Sequence, residues 1–289
     1  MRRNPSVSKK FFSPGLPVHE GEIYSVQWAA VLRFHSGLIF FNYFGVMERH
    51  ITSWFSPSLH KEMPVAVYGN YGFALLLIPT AAADFLEYER FQLLESIRPF
   101  IEAGKIKVFS IDSINTDSWM HPHADGRHKI IRHMQWNNYV YHEVIPFIKN
   151  NTSWDTPVIT CGASFGALHS MNLFLKRPDL VQGVIAMSGV YELTEYSKGY
   201  FDDDVYFNSP MHYMPNLTEH SILEEIRQSS HIHLLSGSGD YEDPDNARRF
   251  ARILYDKGIW YELDIWGPEW KHEWPTWRHM LPHYLGTRF

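Results

Sequence analysis

The stretch Val158-Ile159-Thr160-Cys161-Gly162-Ala163-Ser164-Phe165-Gly166-Ala167-Leu168 decides how this chain is read. An apolar run that starts at Pro157 ends at Cys161 and passes straight into Gly162. From Ser164 to Lys176 the spacing turns helical, and it stops at Arg177-Pro178. A serine therefore sits at a strand-to-helix turn, with a glycine two residues away on either side. Such a turn imposes strained backbone angles on the serine, and it closes only if those neighbours lack bulk. It lifts the hydroxyl above the sheet and leaves the N–H of Phe165 free to donate to a developing oxyanion. The helix that begins there adds partial positive charge at the same point. The pentapeptide alone is weak evidence. With Gly and Ser each roughly 7% of residues, a chain of this length holds about 0.1 such matches by chance. The strand before it and the helix after it give the pattern its meaning.

Outward from that turn, strand-like and helix-like stretches alternate from Met47 onward. Residues 64–69, 73–78, 107–111, 157–161, 181–187, 231–235 and 259–265 read as strands. Residues 88–103, with Leu93, Leu94, Ile97 and Ile101 on one face, read as a helix, as do 127–149, 164–176, 245–257 and 274–285. Strands separated by helices of this length imply βαβ units: an α/β fold with a mainly parallel central sheet and helices on both faces. A serine turn of this kind on such a sheet points to the α/β-hydrolase fold. The long, aromatic and acidic segment from Tyr191 to Ser230 breaks the alternation and is expected to cover the upper edge of the sheet. Residues 1–46 follow neither period. They read as an N-terminal extension, with residues 47–289 as the catalytic domain.

Composition narrows the function classes. Of 289 residues, 45% are hydrophobic and 20% charged, which suits a globular chain with a sizeable core. A net charge of −6 without a Lys/Arg run argues against a nucleic-acid partner. No apolar run has the roughly 18 residues of a membrane-spanning helix, so no membrane partner is expected. The single cysteine, Cys161, excludes an internal disulfide and fits a reducing compartment, hence a cytoplasmic location. The apolar stretch Ser36–Val46 comes too late, and lacks the cleavage site, for a signal peptide.

Chain order in this fold runs serine, acid, histidine. Asp240 follows the strand 231–235 and the turn Ser236-Gly237-Ser238-Gly239, which places it on the sheet edge that carries the serine. It is the favoured acid, with Glu242 and Asp243 as close competitors. One of Asp243 and Asp245 is expected to cap the following helix instead. His272 lies in the loop after the last strand, whereas His279 and His283 fall inside the helix beyond it. His272 is therefore the base. The second oxyanion donor should come from the loop after residues 73–78, Pro79-Thr80-Ala81-Ala82-Ala83, where Ala82 is the candidate. His121, His123, His128 and His133 crowd together, but their spacing fits no standard ligand set, so no metal and no cofactor is expected. Trp266, Trp270, Trp274 and Trp277 read as packing around the histidine loop rather than as an acyl pocket.

Taken together, Trp54 to Leu59, Gly162 to Gly166, Ser188-Gly189, Gly239-Asp240 and the ending His272-Glu273-Trp274-Pro275-Thr276-Trp277 resemble the putative-esterase, esterase D-like family of α/β-hydrolases. Feruloyl esterases, enterochelin esterases and mycolyltransferases are among its members. The resemblance covers residues 47–289 and implies Ser164, Asp240 and His272 as a triad. Ala82-Ala83 departs from the glycines that relatives often carry in that loop. The expected activity is hydrolysis of a small-molecule carboxylic ester through an acyl-enzyme, without a cofactor. Acyl transfer by the same triad, or a catalytically idle binding module, are the alternatives. The oligomeric state is not readable from the sequence.

Overall fold

The computed structural model describes residues 47–289, so the expectation for residues 1–46 lies outside the described residues. The sheet begins with β1 (Arg49–Ser56), β2 (Lys61–Tyr68) and β3 (Phe73–Ile78). Two helices, α1 (Glu87–Arg90) and α2 (Leu93–Glu102), lead to β4 (Ile106–Ile111). A long helical run follows as α3 (Gly126–Tyr139) and α4 (Ile145–Asn151), joined without a break by a π-turn over Val140–Val144. Then come β5 (Val158–Ala163), α5 (Phe165–Lys176) and β6 (Gly183–Met187). Three short helices, α6 (Asp203–Tyr206), α7 (Pro210–Tyr213) and α8 (His220–Gln228), precede β7 (His231–Ser236). The chain closes with α9 (Pro244–Asp256), β8 (Glu262–Ile265) and α10 (Trp274–Thr287).

The strands form one sheet in the order β1-β2-β4-β3-β5-β6-β7-β8. The β1–β2 and β2–β4 pairs are antiparallel and every other pair is parallel. This is the α/β-hydrolase architecture that the serine turn implied. β1 shows no apolar alternation in the sequence, because its half-buried face is formed by Thr52, Trp54 and Ser56 while most of its other residues are exposed.

Alternation along the inner strands assigns each side chain to one of two cores. Ala74, Leu76 and Ile78 of β3 pack with Trp136, Met171 and Phe250, from α3, α5 and α9. Leu75 and Leu77 pack on the opposite face with Leu94 and Ile97 of α2 and Met280 of α10. A strand buried on both faces must be apolar at every position, which is why β3 and β5 read as unbroken hydrophobic runs. Each fully buried Leu or Ile among them contributes about 1.5–3 kcal/mol of transfer free energy. Among the described residues, no helix is long and apolar enough to cross a membrane.

Three consecutive strands, β5, β6 and β7, end at the same edge of this parallel block. In the connections that follow them, Ser164, Ser188 and Tyr241 adopt left-handed backbone angles, with φ of 56°, 50° and 65°. Non-glycine residues held there cost on the order of 1–3 kcal/mol each and cluster where structure serves function.

Candidate active site

Ser164 stands between β5 and α5 at φ 56° and ψ −121°, and its N–H is fixed by the carbonyl of Met187 at 2.9 Å. The flanking glycines explain how such a turn fits. A Cβ on Gly162 would lie 2.3 Å from the backbone of Gly166. A Cβ on Gly166 would lie 2.4 Å from the carbonyl oxygen of Ile78 and 2.6 Å from that of Pro79. Elbow and β3 loop are thus in backbone contact, and neither glycine tolerates a side chain. Phe165 opens α5, so its N–H has no partner within the helix and faces the serine end.

His272 Nε2 lies 2.9 Å from Ser164 Oγ. Its loop is bound to the loop after β7 along the backbone and by one hydroxyl. Trp266 N–H donates to Ser236 O at 2.8 Å, Gly239 N–H to Trp270 O at 2.9 Å, and His272 N–H to Asp240 O at 3.0 Å. Ser238 Oγ donates to Trp266 O at 2.8 Å. The two loops run so close that a Cβ on Gly237 would sit 2.0 Å from Trp270 O. Trp277 packs its ring edge-on against the His272 imidazole, with centroids 5.3 Å apart.

The carboxylate facing the other side of this imidazole belongs to Glu242. Its Oε2 is 3.5 Å from His272 Nδ1, and its side chain is only 1% exposed. Ser188 Oγ donates to Oε1 at 2.6 Å and Ser236 Oγ to Oε2 at 3.2 Å. Trp277 Nε1 donates in turn to Ser188 Oγ at 2.9 Å. Burial pushes the Glu242 carboxyl up, but the hydrogen bonds from His272 and Ser188, the nearby imidazole charge and the Ser236 hydroxyl outweigh it. The net pKa lies below the ordinary glutamate value, which keeps the group anionic.

Asp240, the acid favoured by the sequence, does not reach His272 with its side chain. Its carboxylate is 67% exposed and pairs with Lys271 Nζ at 2.6 Å. The correction has a backbone cause. Residues two apart in an extended chain share a face, but the left-handed Tyr241 turns the chain between Asp240 and Glu242. The Asp240 carbonyl is spent on the His272 N–H while its side chain is turned to solvent. Asp243, the other competitor, caps α9 by accepting the N–H of Asn246 at 3.2 Å.

The β3 loop lies beside the elbow. Its Thr80 N–H is taken by Glu87 Oε2 at 2.8 Å, whereas the N–H groups of Ala81 and Ala82 have no partner among the described residues. Ala81 packs with the Phe165 cluster and Ala82 is exposed. Beyond Phe165, Tyr196 of the segment after β6 stacks edge-on at 4.5 Å. Tyr196 thus packs against the residue that follows Ser164. The four tryptophans pack on one another and on neighbours: Trp274 stacks on Phe91 at 4.5 Å, and Trp266 meets Trp270 at 4.8 Å. His133, of the crowded histidines, is buried and accepts from Trp119 Nε1 at 3.1 Å.

The model of the family described as Putative esterase matches residues 107–286, more than half of the chain. No curated protein sequence matches. Solved structures that resemble the fold include a ferulic acid esterase, with TM-score 0.65 and 15% identity over 83% of this chain and 96% of that one. An S-formylglutathione hydrolase from Agrobacterium tumefaciens gives TM-score 0.65 and 15% identity over 83% and 94%. A fluorophosphonate-binding serine hydrolase from Staphylococcus aureus gives 0.57 and 17% over 84% and 98%. At such identities these likenesses speak to fold, and the family match carries the classification. The chain belongs to the Putative esterase family and is a serine hydrolase of the α/β-hydrolase fold.

Proposed function

We propose that this enzyme hydrolyses small-molecule carboxylic esters through an acyl-enzyme, with Ser164 as nucleophile, His272 as base and Glu242, rather than Asp240, as the acid. The observation that supports this best is the unbroken line from Ser164 Oγ through the His272 ring to a buried, anionic carboxylate. Ser164 Oγ attacks the ester carbonyl carbon as its proton passes to His272 Nε2, and the carbonyl π electrons move onto oxygen. The Phe165 N–H, at the positive end of α5, and the Ala82 N–H of the facing loop hold that oxyanion. Collapse breaks the bond to the alcohol oxygen, which takes the proton from His272. Water then gives a proton to His272 and its oxygen to the acyl carbon. Collapse of this second tetrahedral state breaks the acyl–Oγ bond, and Ser164 Oγ takes the proton back from His272, releasing acid and free serine. Glu242 holds the tautomer with Nδ1–H toward itself and stabilises the imidazolium. The 3.5 Å separation is ordinary for a resting site that tightens with substrate bound. Residues 47–289 hold every group this scheme uses and constitute the catalytic unit of the proposal.

The test pairs covalent labelling with turnover. Ser164→Ala should abolish both labelling by a fluorophosphonate and hydrolysis of chromogenic esters, while the thermal midpoint stays close to the parent's. Full-strength labelling in that variant would remove Ser164 from the scheme. A series of such esters graded by acyl length, run on the parent, defines the acyl preference.

A further inference from the structure

The loop that presents the Ala82 N–H begins at Pro79, where β3 ends, and two neighbouring residues of α1 grip it. Glu87, itself buried, accepts from Thr80 N–H at 2.8 Å and from Thr80 Oγ1 at 2.6 Å. The Tyr88 hydroxyl donates to Ile78 O at 2.7 Å and accepts from Ala163 N–H at 3.3 Å. Ile78 closes the β3–β5 ladder opposite Gly162, so this one phenol oxygen joins the last residue before the loop to the residue before Ser164. The Tyr88 ring is wholly buried and meets Trp274, at the start of α10, edge-on at 5.6 Å.

We infer that Glu87 and Tyr88 are positioning residues for the oxyanion hole. Tyr88 sets the distance between its two halves, and Glu87 sets the path of the loop that supplies the second donor. Neither touches substrate. An oxyanion hole works only if its donors wait at the position that the oxygen reaches in the tetrahedral state. Here one donor belongs to α5 and the other to an eight-residue connection between Ile78 and Glu87 that forms no strand or helix of its own. Backbone contact at Gly166 limits how near the halves come, but a contact does not stop them parting. The β3–β5 ladder ends at Ile78 and Gly162, and there the Tyr88 hydroxyl, bonded to Ile78 and Ala163, adds the tie that does. Thr80 N–H, being held by Glu87, is withdrawn from the hole, which leaves the task to the next free amides.

This inference rests on the esterase reading above, and its experiment separates the two. Tyr88→Phe keeps the ring and removes the bridge. It should lower kcat about tenfold with KM within about twofold, since a small misplacement of transition-state donors can cost up to about 10²-fold. Affinity for a trifluoromethyl ketone, whose serine adduct carries the oxyanion, should weaken by the same factor as kcat/KM. Tyr141→Phe is the matched control: its buried hydroxyl donates to Leu173 O at 3.1 Å, away from the site, and it should lower the thermal midpoint alone. Glu87→Ala should reproduce the Tyr88→Phe pattern, and Glu87→Gln, which can still accept from Thr80, should restore most of the rate. The inference is overturned if Tyr88→Phe behaves like Tyr141→Phe, or if Glu87→Ala leaves kcat and ketone affinity unchanged. Fluorophosphonate labelling of Ser164 should persist in all these variants. Its loss from Ser164→Ala tests the esterase reading independently.

Discussion

The loop after β7 has two faces, and they show how differently one chemical group behaves on each. On the outer face, Asp240 meets Lys271 in water, with its side chain two-thirds exposed. On the inner face, Glu242 is sealed against Ser188, Ser236 and His272. Both are carboxylates, both follow the same strand, and both lie within reach of the histidine loop. What separates them is burial together with donors. In water a carboxylate's field is screened and its pairing with a cation is worth little. Inside, desolvation by itself would drive the proton onto Glu242, and three side chains aimed at its oxygens reverse that. A carboxylate prepared in this way can orient an imidazole and bear its positive charge.

Neutralising the inner face should have the largest effect. Glu242→Gln keeps the shape but supplies no charge for the imidazolium and favours the wrong tautomer. In the serine-protease example of the same change, turnover falls about 10⁴-fold, and a loss of at least about 10² is expected here, read as kcat on a chromogenic ester. Stability should follow the sign of the pKa shift. Because the folded-state pKa of Glu242 is depressed, its contribution is present above the unfolded value of about 4.3 and lost as pH falls through the folded one. The difference in thermal midpoint between parent and Glu242→Gln should therefore shrink as pH drops below about 4. A difference that grows toward acid would mean that Glu242 is not the ionised member of the site.

How much of this was legible beforehand follows from the same two faces. The serine elbow could be read because its determinants are local: glycines at fixed spacing, a strand before and a helix after. His272 could be read because the competing histidines fall in a helical pattern. The alternating sheet could be read because both faces of β3, β5 and β6 are buried. Choosing among Asp240, Glu242 and Asp243 needed the left-handed turn at Tyr241, and a tyrosine gives no sequence signal for positive φ. It also needed Ser188 and Ser236, which meet Glu242 only through the sheet order. Ser188-Gly189 stood out as part of the family resemblance, but its bond to Glu242 is a tertiary fact.

A smaller effect belongs to the residue just beyond the inner face. Asp243→Ala removes the acceptor for the Asn246 N–H at the start of α9. Loss of an N-cap costs about 1 kcal/mol, so a lower thermal midpoint is expected. Turnover should stay near the parent's, because α9 does not carry Glu242. A large drop in kcat without loss of stability would move the acid one residue along and leave the rest of the triad untouched.

The smallest effect should come from the outer face, and it carries the comparison's real weight. Asp240→Asn removes a charge but not the backbone carbonyl that fixes His272, since that carbonyl belongs to any residue placed there. The partner lost is Lys271, an exposed lysine whose ammonium needs no carboxylate to stay solvated. If position after the strand were what made an acid catalytic, this variant would lose rate as Glu242→Gln does. If burial and aimed donors are what matter, kcat/KM should remain within about twofold of the parent, which is near the limit at which a change in transition-state binding can be read. Salt offers an internal check, because a screened surface pair fades with ionic strength and a buried one does not. The ratio of Asp240→Asn to parent turnover should approach unity as salt is raised from 0.05 to about 1 M, while the Glu242→Gln ratio stays low throughout. Equal, salt-independent losses in both variants would show that the loop works as one unit and that its two faces are not chemically distinct.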